Sequence, residues 1–420
     1  MYEGLLNTTQ DKYSSKELFI RVWRNECLRV FCDRLLSFAD QELIGGPSGV
    51  ISELVREFFK DAEEVVLADP TLYGDFILAN PADDEAEDPR LYEDLGDFPA
   101  VKEKLAKLLE DYGYDHKPMP LVLFNDALAH VSRIHRIIRF PKGCALLVGF
   151  GGSGKQSLTK LATYTACYDL FTINLIRGYK EPDFKEDLRS LYKLVLGKDQ
   201  TFLFTDSHVA EEGFLELVNN ILTIGMVPGL FPEEEKDGLV QPLDDEMRKQ
   251  KMPETKEFRF NYFVTRARER LHIVLSMSPA GGALRVRCRN FPGLISNTIV
   301  DWFFPWPEDA LTAVANTFMG TVELADDEKQ KVTEHLVMVH LSVQRYSEEY
   351  KAVYKRSNYS TPKNYLDFIN NYAAFVKEKR KMMEAMVRRL DGGLVTLKKA
   401  GEDTQTLSEE LKVKNEEVSK

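Results

Sequence analysis

Residues 144–157, CALLVGFGGSGKQS, decide the fold. The apolar run 144–148 reads as a buried strand. It is followed by Gly149, Gly151, Gly152, Ser153, Gly154 and Lys155, and then by a helical pattern through Leu158, Leu161 and Ala162. A glycine-rich turn between a strand and a helix lets backbone N–H groups converge on phosphate oxygens. The helix N-terminus adds partial positive charge, and Lys155 is placed to reach the outer phosphates. Gln156 stands where such loops carry the Ser or Thr that holds magnesium, and Ser157 comes one residue later.

Working outward, 420 residues allow two to four folding units. Apolar residues at 44% and charged residues at 29% describe a soluble globular chain. No apolar run nears the ~20 residues that cross a bilayer, and the first residues show no basic-then-apolar signal segment. Cys27, Cys32, Cys144, Cys167 and Cys288 form no metal or redox spacing, so buried thiols in a reducing compartment are expected. A formal charge of -12 argues against nonspecific nucleic-acid binding. Neither nucleic acid nor membrane is therefore an expected partner.

Upstream of the loop, residues 15–36 place Phe19, Val22, Trp23, Cys27, Val30 and Phe31 on one side of a helix, and 50–59 continue the helical signal. Pro70, Pro81 and the acidic run Asp83, Asp84, Glu85, Glu87 and Asp88 then interrupt it, which suggests a solvated linker and a boundary near residue 95. Helical spacing returns at 101–109 and 125–138, with an apolar stretch at 121–124 that suits either a wall against a nucleotide base or core packing.

Downstream, strands are predicted at 171–175, 201–205, 271–277 and 299–303, separated by helices over 184–192, 209–224 and 266–270. That alternation implies a parallel sheet between helices. Residues 228–256 are rich in Pro, Glu, Asp and Lys and read as an insertion too polar for core. Beyond Pro307 the pattern is helical throughout. From 362 to 420 a seven-residue repeat runs through Ile369, Val376, Met383, Leu390, Leu397, Thr404, Leu411 and Val418. One heptad stripe with mixed companions predicts a coiled-coil helix whose partner lies elsewhere, in the same longer polypeptide or in another chain.

The second chemical element is Asp206, at the end of the apolar strand 202–205, where a carboxylate approaches magnesium near the β- and γ-phosphates. ATPases of this kind usually place Glu next, to polarise water; here Ser207 and His208 follow, and a serine hydroxyl needs a base beside it. Binding is thus better supported than hydrolysis. Ser276 or Ser278, at the end of 271–277, is the candidate γ-phosphate sensor. Arg285, Arg287 and Arg289 offer one finger toward a nucleotide held by a neighbouring module, and spacing does not decide which. The expected set is Gly149, Gly151, Gly152, Ser153, Gly154, Lys155, Gln156 and Ser157 on ATP or ADP, Asp206 and Ser157 on Mg2+, and Lys155, Asp206, Ser276 and Arg289 in catalysis.

The sequences LVLFNDALAHVSRIHRII at 121–138, LLVGFGGSGKQSLTKLA at 146–162, FLFTDSHV at 202–209, RARERLHIVLSMSPAGGALRVRCRNFPGL at 266–294, DWFFPWPEDAL at 301–311 and NYSTPKNYLDFI at 358–369 together resemble the fourth AAA+ module of axonemal dynein heavy chains. By that resemblance, 1–95 corresponds to the helical end of the third module, 96–306 to the large α/β subdomain of a P-loop AAA+ module with a five-stranded parallel sheet, 307–361 to its α-helical lid, and 362–420 to the start of the stalk coiled coil. It implies a regulatory ATP-binding module in a microtubule motor of cilia and flagella, in the cytoplasmic cytoskeleton of the axoneme. Implied partners are the neighbouring AAA+ modules, the returning stalk helix and, through other parts of the full protein, the microtubule and dynein intermediate and light chains. Two rival readings are a free-standing P-loop regulator oligomerising through its C-terminal helix and a structural module that has lost nucleotide. An intact Lys155 and Asp206 weigh against the latter.

Overall fold

The computed structural model describes residues 4–5, 15–79, 91–253 and 255–418. The acidic run at 83–88 and Pro81 lie outside them. At the centre is a five-stranded, wholly parallel sheet. Its strands are β3 (Ala145–Gly149), β4 (Asp169–Phe171), β5 (Gln200–Thr205), β6 (Leu271–Met277) and β7 (Ile299–Phe303), arranged in the order β4, β5, β6, β3, β7. A separate antiparallel pair joins β1 (Tyr73–Gly74) to β2 (Glu93–Asp94).

The period-two rule of a strand accounts for both cores. Leu146, Val148, Phe202, Phe204, Ile273 and Leu275 face one side, and Ala145, Leu147, Leu203 and Val274 face the other. Both faces are apolar because helices cover both, as right-handed βαβ crossovers require. Helix α4 (Phe98–Asp115) is capped by Asp97, whose carboxylate accepts the Ala100 N–H, and carries Pro99 in its first turn. Together with α5 (Asn125–Arg139) and α6 (Lys155–Thr165), it covers one face through Leu105, Leu108, Ile134, Ile138 and Leu161. On the other face lie α7 (Glu181–Gly197), α8 (Gly213–Ile224) and α9 (Lys256–Arg270), with Phe184, Leu188, Tyr192, Phe214 and Phe263 fully buried.

Two expectations need correction. The strand expected at 171–175 is instead β4, ending at Phe171 opposite Phe202. It is an edge strand held from one side only, and the chain leaves it after three residues. Ile173 stays buried in the same core, which is what gave the segment its strand-like pattern. The insertion at 228–256 is not too polar for core: Leu230, Phe231, Leu239, Val240 and Leu243 pack with Phe263. Its acidic residues are used as well, since Arg259 grips both carboxylate oxygens of Asp244.

Among the described residues, one compact unit runs from the N-terminal segment to Ala313 and includes Ser357–Lys363. In it, α1 (Lys16–Cys27) starts at an N-cap formed by Ser15 and passes at Leu28–Cys32 into a π-helical turn, so the helix expected over 15–36 is shorter and ends irregularly. Glu26, fully buried, accepts from Arg136 of α5 and from the Tyr92 hydroxyl at 2.8 Å.

The second unit holds Val314–Arg356 and Asn364–Lys420. Within it, Leu336 and Val337 of the helix Asp326–Tyr354 are buried, His340 packs 4.9 Å from the Tyr365 ring, and Thr333 donates to Asn316 at 3.1 Å. Tyr365 and Ile369 of the helix Pro362–Val418 are buried too. Further along that helix the stripe of Met383, Leu390, Leu397 and Leu411 is exposed at 55–71%. No helix among the described residues is long and apolar enough to cross a membrane. The five cysteines are free.

His272, on β6, makes a pH prediction. It is 1% exposed, donates from Nδ1 to the Gly143 carbonyl at 3.0 Å and stacks on Tyr168. Burial pushes its pKa down to about 4, against a partial offset from that carbonyl. The unfolded chain therefore takes up a proton near pH 6.5 that the folded chain refuses until about pH 4. Stability is expected to be flat above pH 7 and to fall as pH drops through that window, by on the order of 3 kcal/mol from this group. Burial lowers His208 and His340 in the same direction. Urea unfolding at pH 7.5, 5.5 and 4.5 measures the loss, and His272→Gln should flatten it.

Candidate nucleotide-binding site

The loop between β3 and α6 is built by glycines at the places where a side chain has no room or the backbone has the wrong hand. A Cβ on Gly149 would lie 2.5 Å from that of Phe303 on β7. Gly152 has φ +85 and sits against the Lys363 backbone, which donates to the Gly151 carbonyl at 3.3 Å. Gly154, with φ +92, is the left-handed N-cap of α6. The Phe150 ring lies 5.0 Å from that of Tyr359.

Lys155 follows immediately and is buried. Its Nζ donates to the carbonyls of Gly149 at 2.6 Å and Phe150 at 2.8 Å and to the Ser153 hydroxyl at 3.1 Å. Burial lowers its pKa to about 8, and the Asp206 carboxylate partly offsets that. All three ammonium hydrogens are thus spent inside the loop, and an anion brought beside it takes the place of one of these acceptors. Ser153, in turn, donates to the Phe150 carbonyl. Gly151, Gly152 and Gln156 are exposed and Ser157 is half-buried.

Asp206 opens a 3-10 turn, Asp206–His208, directly after β5. One carboxylate oxygen accepts the Ser278 N–H, and the other accepts from Arg287 Nη1 at 2.8 Å. Ser276 is buried on β6 in register with Leu147 and Thr205, two residues before the amide that holds Asp206. Ser207 pairs with the Thr205 hydroxyl at 2.7 Å, and His208 Nδ1 accepts the Thr205 N–H with the ring packed on Phe204. Such a histidine orders the turn.

Of the three candidate arginines, the structure brings Arg287 to the site, while Arg285 and Arg289 are exposed. The helix α10 (Ala283–Asn290) explains this: 285 and 289 are one turn apart on one face, and 287 points across from them. Helical phase over 283–290 was the signal needed to separate Arg287 from its neighbours.

Beside the loop lies a cavity of about 540 Å3, lined by Ser153, Leu158, Phe124, Phe303, Trp306 and Arg133 among others. Its size falls within the range of small-molecule and cofactor sites. Of the apolar stretch 121–124, Leu123 is buried in the core and Phe124 lines the cavity, edge-on to Trp306 at 5.4 Å. A buried carboxylate holds the lining residues His130 and Arg133 from behind: burial opposes ionisation of Asp301, but His130 at 2.7 Å and Arg133 at 3.2 Å outweigh it and hold the carboxyl down at about 2. Among the described residues no cluster of three or more His, Cys, Asp or Glu could cage a metal. A phosphate-bound magnesium does not need one, since it keeps waters and phosphate oxygens and asks the protein for one or two ligands. Asp206, directly after β5, is a ligand of that kind.

A family model, P-loop containing dynein motor region D4, matches residues 119–375, the span that holds the β3 strand, its left-handed glycine loop, the lysine held inside it and the carboxylate after β5. The chain belongs to this dynein motor-region family. It is 50% identical over 415 residues to Dynein axonemal heavy chain 10 of Homo sapiens, covering 98% of this chain and 9% of that protein. Dynein-1-alpha heavy chain, flagellar inner arm I1 complex, of Chlamydomonas reinhardtii is 48% identical over 417 residues, again 98% of this chain and 9% of the relative. Dynein axonemal heavy chain 2 of Mus musculus is 35% identical over 427 residues, with the same 9% share. The chain thus spans about a tenth of the length of these relatives. The resemblance carried by the motifs is the family found.

Proposed function

We propose that residues 119–375 form a regulatory module that binds ATP or ADP with Mg2+ and hydrolyses it weakly or not at all, as one part of a microtubule motor that powers cilia or flagella. Lys155 carries the reading: its ammonium is buried inside a glycine loop at a helix N-terminus and faces the Asp206 charge. The loop amides and Lys155 bind the outer phosphates, Phe124, Leu158 and Phe303 flank the base, and Asp206 and Ser157 hold magnesium. Magnesium, when bound, neutralises phosphate charge. Ser276 senses the γ-phosphate through the β6 end, and Arg289, exposed on α10, is free to face a nucleotide in an adjoining module.

Weak turnover is supported by the residues after Asp206. Ser207 is tied to Thr205, and His208 uses Nδ1 to accept a backbone N–H, so neither is placed as a base for water. The wider role rests on the relatives. Neighbouring AAA+ modules of the same heavy chain and a returning stalk helix on the exposed heptad stripe are the direct partners. Microtubule and intermediate or light chains engage other parts of the full protein, in the axoneme. Calorimetry with ATP and ADP, paired with phosphate release on the same sample, tests the nucleotide reading. Saturable, magnesium-enhanced binding with release below about 0.01 per second is expected; release near ~1 per second, typical of an active enzyme, would contradict weak turnover.

A further inference from the structure

We propose that Arg287 is a latch on the magnesium site: its guanidinium occupies one oxygen of Asp206 and must withdraw to Glu212 before the metal is held. The inference rests on the nucleotide reading above. Arg287 is two-handed. Nη1 donates to Asp206 at 2.8 Å, while Nε and Nη2 donate to Glu212 Oε1 at 3.1 and 3.0 Å. Its side chain is only 16% exposed, whereas Glu212 is 62% exposed, so the guanidinium has one inner and one outer seat.

The other oxygen of Asp206 is committed to the Ser278 N–H. These two hydrogen bonds leave each Asp206 oxygen one further lone-pair direction, so what opposes a cation there is the charge of the guanidinium and not a lack of acceptor capacity. Arg287 is the donor able to leave, because Glu212 already holds its other edge and because α10 follows Gly281 and Gly282. Gly281 has φ +71, and a side chain at either glycine would meet nothing within 4 Å, so this turn has both the backbone freedom and the space of a hinge. The charge balance favours an exchange. A divalent cation and a guanidinium cannot both sit on one carboxylate without mutual repulsion, and Lys155 already supplies positive charge nearby. Metal loading therefore displaces Arg287 and, with it, α10, the helix that carries Arg285 and Arg289.

The test measures ATP affinity of the full chain by calorimetry in Mg2+ and in EDTA, for the unaltered protein, Arg287→Gln and Arg285→Gln. In Arg287→Gln the ratio of the two affinities is expected to rise by about tenfold or more, because magnesium no longer displaces a counter-ion and metal-free ATP now meets an uncompensated Asp206. Arg285→Gln should leave the ratio unchanged. An unchanged or smaller ratio in Arg287→Gln, or an equal rise in Arg285→Gln, overturns the latch alone. Loss of ATP binding by every protein in both buffers overturns the nucleotide reading and the latch with it. A measurement without substitution guards against misfolding: amide exchange across 283–290 should be faster with Mg2+ and ATP than with ATP and EDTA, and equal rates overturn the latch.

Discussion

Lys155→Ala is expected to weaken ATP binding by at least about a hundredfold, the loss of roughly two charge-assisted hydrogen bonds to phosphate. The local geometry makes the loss larger than at an exposed lysine. The ammonium sits among the carbonyls of Gly149 and Phe150 and the Ser153 hydroxyl, and without it those acceptors face the phosphates unscreened. The fold should survive, because the lysine is held only by its own loop, and removing a buried cation removes its desolvation penalty. Calorimetry of the variant against ATP, with a thermal melt on the same sample, separates the two effects. Unchanged affinity in a folded variant would remove the loop from the site.

The second large effect falls far from the loop. Glu26→Ala should destabilise the chain by about 3–5 kcal/mol, since it strands the Arg136 guanidinium in the interior. Glu26 is fully buried and takes hydrogen bonds from Arg136, the Tyr92 hydroxyl and the Asn25 amide at 3.2 Å. It joins the helix 16–27 to α5, which leads into β3 and the phosphate loop, so the segment before residue 95 and the sheet share one unit. The double variant Glu26→Leu with Arg136→Met should recover much of the loss, because an apolar pair leaves no buried charge alone. Urea midpoints of the unaltered protein, Glu26→Leu, Arg136→Met and the double variant give the cycle; equal destabilisation by the single Glu26 change and the double change would show that packing, not the charge, is what matters there.

The sheet was legible because its inner strands are buried on both faces and read as unbroken apolar runs: 144–148, 201–205 and 271–277 each lie within a residue of the observed strand. Of the two edge strands, β7 was read at its observed bounds but β4 was not, since Ile173 is apolar for a packing reason and not a pairing one. The 228–256 segment misled in the other direction, because the average polarity of its charged surface hid Phe231, Leu239 and Leu243 beneath it. In the site, Gly149, Gly152, Gly154 and Lys155 could be read from local spacing, because each does its work within a few residues of its neighbours. The Asp206 pairing to Arg287 could not, since it depends on helical phase in α10 and on a sequence separation of 81.

Hydrogen–deuterium exchange of the chain with and without Mg2+ and ATP tests the site most directly. Slower exchange is predicted for the amides of 150–157 at the loop and of 205–208 after β5, with the Arg285→Gln protein behaving alike. Protection absent from the loop, or confined to some other part of the chain, would contradict a nucleotide site built on Lys155.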